Sequence, residues 1–101
     1  MIVEIYHTGL KVAEVDAGSK SVEDALDFAW ERTNNIGGSW SMGPVIDGQD
    51  NYDYSDKVTV LVPLMFANGR TYGLRSSSVG DIFVIDGKGF KVAGCGFDPI
   101  D

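Results

Sequence analysis

The 101-residue chain carries 15 acidic against 8 basic residues, a net charge of −7, with 44% hydrophobic and 11% aromatic residues. That apolar content excludes intrinsic disorder, and the length suits a single domain spanning residues 1–101, because either half alone would bury too little surface to form its own core. The negative field repels phosphate backbones, so nucleic acid is a disfavoured partner, while a basic protein partner or plain solubility both fit the balance.

Along the chain, Ile2 to Tyr6 and Leu10 to Val15 are β-branched runs divided by His7-Thr8-Gly9, the pattern of two strands in a hairpin. Glu4, His7, Lys11 and Glu14 interrupt this stretch, so neither a secretory segment nor a membrane span is expected in it. Ser19 to Asn35 reads as the one good helix, with Val22, Ala25, Leu26, Ala29 and Trp30 recurring at three- and four-residue steps. Ser21 is its expected N-cap, Glu23, Asp24 and Asp27 complement the dipole near its start, and Gly37-Gly38 supply a stop.

From Gly37 to Asp56 the composition shifts to Gly, Ser, Asp, Asn and Pro, which predicts a long surface loop. Val58 to Val62 resumes as an apolar run, predicting a buried strand over 57–62 that Pro63 limits. Asn68-Gly69 marks a turn before Arg70 to Leu74. Ser76 to Asp81 reads as a turn, and Asp86-Gly87-Lys88-Gly89 joins Asp81–Ile85 to Phe90–Gly94 as a further hairpin. The expected fold class is α+β: one main helix on a small, mostly antiparallel sheet of five to six short strands, with a long loop at about 37–56.

Several residues invite chemistry and fit structural roles better. The single cysteine, Cys95, permits no disulfide within the chain and no cysteine-rich zinc site, and it favours a reducing, cytoplasmic compartment. Cys95 and His7 are the only thiol and imidazole, and no orienting third group or oxyanion site accompanies them; Cys95 suits a small packed residue and His7 a turn. Ser76, Ser77 and Ser78 lack a nucleophile-elbow setting and suit turn stabilisation. Oxygen-bearing residues from Asp47 to Asp53 alternate as in a calcium loop, but Tyr52 and Val58 stand where such a loop needs Gly and a bidentate Glu. No enzyme activity, cofactor or metal is expected.

Trp40, Tyr52 and Tyr54 offer aromatic area outside the regular elements, with Trp40 fitting equally a tether that folds back to cover one sheet face, and Asp47, Asp50, Asp53 and Asp56 surround them with negative charge. These seven residues form the candidate partner-binding surface: aromatic anchors, with carboxylates steering a basic partner.

Thr33-Asn34-Asn35-Ile36-Gly37-Gly38-Ser39-Trp40, followed by Arg75-Ser76-Ser77-Ser78-Val79-Gly80-Asp81, Asp86-Gly87-Lys88, Val92 and Gly96-Phe97, resembles a group of short proteins carried by phages, plasmids and integrated elements. The C-terminal string is similar to the YodL-like domain of mobile-element polyproteins. The resemblance spans roughly residues 30 to 100, with Ser77 where Thr or Leu is common. It implies a phage or mobile-element origin and no catalytic residues. The expected function is therefore a small accessory protein that binds a host or phage protein. A self-assembling or homodimeric protein, paired at a strand edge, is one alternative. A nucleic-acid module using Arg70, Arg75, Lys88 and Lys91 is a second, opposed by the overall charge.

Overall fold

The computed structural model describes residues 1–100. Six strands form one antiparallel sheet in the order β10-β9-β8-β1-β2-β5, comprising β1 (Ile2–His7), β2 (Leu10–Asp16), β5 (Val58–Val60), β8 (Ile82–Ile85), β9 (Lys88–Val92) and β10 (Phe97–Ile100). The helix α1 (Val22–Arg32) crosses one face. Two small hairpins stand outside the main sheet: β3 (Val45–Ile46) with β4 (Gln49–Asp50), and β6 (Met65–Ala67) with β7 (Arg70–Tyr72).

Strand alternation sets the core. Val3 and Ile5 of β1, Ala13 and Val15 of β2, Phe83 and Ile85 of β8, and Phe90 and Val92 of β9 all turn inward, where Ala25, Leu26 and Ala29 of the helix meet them. On the opposite face Lys11 lies 2.7 Å from both Glu4 and Glu14, and these two carboxylates raise its pKa. A bulge interrupts the β1–β2 ladder between Ile5 and Tyr6, which pair with Ala13 and Lys11, so Val12 is the extra residue and is buried beside Ala13.

Four two-residue turns close four hairpins, each with both residues left-handed: Thr8-Gly9, Asp47-Gly48, Asn68-Gly69 and Asp86-Gly87, with φ between 50° and 83°. This geometry matches the right-handed twist of the flanking strands and favours Asx-Gly pairs. The helix is shorter than its periodicity suggests. Ser21 Oγ accepts from Asp24 N as expected, but the C-cap is Thr33, whose hydroxyl donates to Ala29 O at 2.8 Å, so the helix ends before Gly37.

Three further expectations change. The 57–62 run is the sheet's edge, with Val58 and Val60 half-buried and Thr59 exposed. The 37–56 segment holds the β3–β4 hairpin and a buried tryptophan. Phe97–Ile100, not read as a strand in the sequence, pairs with β9 at the other edge, where its Pro99 is tolerated. No helix among the described residues is long and apolar enough to cross a membrane.

Candidate binding surface

The segment after the helix is held by polar side chains that turn inward. Trp40, a candidate surface anchor or a tether folded back on the sheet, is the latter at only 1% exposure; its indole Nε1 donates to Arg75 O at 2.9 Å, and its own amide donates to Asn35 Oδ1 at 2.9 Å. Large apolar rings in cores also need their polar edge satisfied, and Arg75 O does this here. Trp40 is therefore a core residue and leaves the candidate set.

Beneath it lies a buried polar chain. Thr33 Oγ1 donates to Ala29 O, Ser77 Oγ lies 2.8 Å from Thr33 Oγ1, and His7 Nε2 lies 2.9 Å from Ser77 Oγ. Because the Thr33 proton goes to Ala29, Ser77 must donate to Thr33, and His7 Nε2–H must donate to Ser77. His7 is then a donor and no base for Ser77. Asp81 Oδ2 sits 3.7 Å from that same nitrogen, whereas a hydrolase triad places its carboxylate on the opposite one. The cluster ties β1, the helix C-terminus and the 75–81 turn together, a longer reach than the local capping expected of these serines.

The electrostatics of this cluster follow from burial. Desolvation lowers the His7 pKa against the opposing pull of Asp81, with Arg75 adding to the lowering, so His7 is neutral at pH 7. Burial pushes the Asp81 carboxyl up, but the Arg75 guanidinium at 2.7 and 2.9 Å and the Ser78 amide at 2.8 Å outweigh it and hold it below the usual range. Arg75 is committed to this pair, Lys88 and Lys91 lie on β9, and Arg70 lies on the separate β6–β7 hairpin. Cys95 is exposed within the β9–β10 connection instead of packed, and His7 is a buried residue at the end of β1, paired with Ser77, and not part of the turn.

Residues 51–53 divide their duties. Asn51 is buried: Oδ1 accepts from Ser39 N at 2.9 Å and Asp53 N at 3.3 Å, while Nδ2 donates to Ser39 O at 2.6 Å and Gly43 O at 2.8 Å. Asp53 Oδ2 accepts from three successive amides, Ile36 at 2.6 Å, Gly37 at 2.9 Å and Gly38 at 2.7 Å, an anion-binding nest filled by the chain's own carboxylate. Gly38 is required at its place, since a side chain there would run into Asn51 Oδ1. Asp53 is thus a clamp, and it leaves the steering set. With Asn51 and Asp53 turned onto backbone amides, the alternating oxygens of 47–53 do not converge, and no group of three or more His, Cys, Asp or Glu among the described residues is placed to hold a metal ion.

Between the two clamps Tyr52 points out, 82% exposed, lying against the Gly37 backbone; Ile36, on the same nest, is 81% exposed. Tyr54 is also exposed, as are Asp47 in the β3–β4 turn, Asp50 on β4 and Asp56. Ile36 was not singled out in the sequence, where it falls between the expected helix end at Asn35 and the Gly37-Gly38 stop. The signal for it is the Ile-Gly-Gly string, whose bare amides suit a carboxylate.

Comparison of the chain with family models, curated proteins and solved structures finds no match. The resemblance to phage and mobile-element proteins rests on the residue strings given above.

Proposed function

We propose that this chain is a non-enzymatic binding domain that engages a host or phage protein through Tyr52 and Ile36, with Tyr54 alongside and Asp47, Asp50 and Asp56 directing a basic surface toward them. One observation carries this reading: two large apolar side chains are held out of the core on a segment fixed by eight hydrogen bonds of Asn51 and Asp53. A rigid aromatic on a pre-ordered loop loses little conformational entropy on binding, which is how a few residues come to dominate an interface. The resemblance over residues 30–100 supports a host or phage protein as partner, and the charge of −7 supports a basic one.

The test is quantitative capture from host lysate with wild type and an Ile36→Ser, Tyr52→Ala double variant of unchanged melting temperature. The reading expects specific partners to be lost from the variant and their capture by wild type to weaken with salt. Equal recovery by both proteins refutes it.

A further inference from the structure

The single helix is too narrow to cover the whole inner face of the main sheet. It approaches that sheet over β1, and strands stand about 4.8 Å apart, so β9 and β10 lie about 10 and 14 Å from β1, beyond the reach of a helix about 10 Å across. Phe97 and Pro99 of β10 pair with the inward-facing Val92 and Phe90 and so share the core face. Phe97 is nevertheless only half-buried, and Pro99 is exposed.

A groove of about 500 Å³ runs between this end of the sheet and the helix, floored by Phe90, Phe97 and Pro99 and walled by Leu26. A second recess of about 260 Å³ shares Asp27, Gly96 and Phe97 with it and reaches Trp30. These dimensions suit a small organic molecule, and the apolar floor suits one with an apolar body.

Charge selects the occupant. The only charged side chains lining the groove and its recess are Glu23 and Asp27, four residues apart on one face of the helix, where like charges repel. Neither belongs to an ion pair among the described residues. Lys20 and Arg32 lie over the Phe28 ring, which is no part of the groove, and Lys88 Nζ stands 5.7 Å from the centre of the Phe90 ring without pairing to either carboxylate. A neutral occupant would leave the two carboxylates repelling each other, and an anion would add to the repulsion. A cation relieves it, and Trp30 and Phe97 are rings of the kind that attract an ammonium group.

We propose that this groove binds a small organic cation, a compact apolar body carrying one ammonium group, with the body on Phe90, Phe97 and Pro99 and the ammonium beside Glu23 and Asp27. The site shares no residue with the Tyr52 surface, so the two readings are tested separately. For a probe of one aromatic ring and one ammonium the dissociation constant is expected on the order of 1 mM.

Amide NMR of the purified protein, titrated with phenethylammonium chloride to about 20 mM at constant ionic strength, tests this. Saturable shifts are expected at Leu26, Asp27, Cys95 and Gly96, with phenethyl alcohol binding about fivefold more weakly and the anion hydrocinnamate not at all. A Glu23→Gln, Asp27→Asn double variant, which changes only exposed side chains and should melt within about 2 °C of wild type, should bring the ammonium down to the affinity of the alcohol and leave the alcohol unchanged. Equal affinity for ammonium and alcohol, undiminished binding by the double variant, or unsaturated shifts spread over Asp47, Asp50 and Asp56 overturn the proposal. Tighter binding of acetyl-Leu-Lys-Leu-amide than of the free amine would assign the groove to a protein side chain and overturn it as well.

Discussion

Replacing Asp53 with alanine tests whether the Ile36–Tyr52 surface is pre-ordered. The substitution removes one oxygen that accepts from three amides at 2.6–2.9 Å. Hydrogen bonds to a charged group contribute about 1.5–3 kcal/mol each, but these three share one acceptor and their amides rehydrate at the surface, so about 2 kcal/mol in total is expected. A chain of this length unfolds with an entropy of roughly 0.2 kcal/mol/K, which converts that loss to a fall in melting temperature of about 10 °C. Circular dichroism against temperature measures it, and amide exchange at Ile36, Gly37 and Gly38 should rise in parallel. Asp53→Asn keeps an acceptor without the charge and should lose about half as much. Tyr52→Ala, by contrast, should shift the melting temperature by no more than about 2 °C, since it removes an exposed side chain. If Asp53→Ala melts within about 2 °C of wild type, the nest does not order this segment and the pre-organisation argument fails.

Trp40→Ala should cost about 3–5 kcal/mol through the cavity and the orphaned Arg75 carbonyl, a large share of the stability of any small domain, and urea unfolding would show it as a lower midpoint with unchanged slope. Gly38→Ala should destabilise by about 1–3 kcal/mol because the new methyl displaces Asn51 Oδ1 from the Ser39 amide, visible as a lower melting temperature. The neutral, buried His7 binds fewer protons in the folded than in the unfolded chain, so its contribution falls as pH drops below its ordinary 6.5. Asp81, held below its ordinary 3.8, stabilises above that value and loses its effect as pH falls through its folded pKa. His7→Gln should therefore flatten the stability profile just below pH 6.5 while leaving the acid limb below 3.8, as measured by urea midpoints across pH.

The sequence by itself determined the local elements, because their causes are local. β-branched runs split by a turn marked β1 and β2, the Asp86-Gly87-Lys88-Gly89 turn marked β8 and β9, the three- and four-residue spacing marked the helix, and Ser21 marked its start. Asn68-Gly69 and Asp86-Gly87 announced their turns. Asp47-Gly48 is a signal of the same kind, but its flanking strands are only two residues long and the surrounding polar composition reads as a long surface loop. What the tertiary structure alone decided was direction. Whether Trp40 faced solvent or core depended on Arg75 O, 35 residues away, and whether Asp53 steered a partner or clamped the chain depended on bare amides at 36–38. Ser77 likewise took its role from His7 and Thr33, on elements the chain reaches only by folding. Side-chain polarity is written in the sequence, but the partner that satisfies it is chosen by long-range packing, so element type was legible and the binding surface was not.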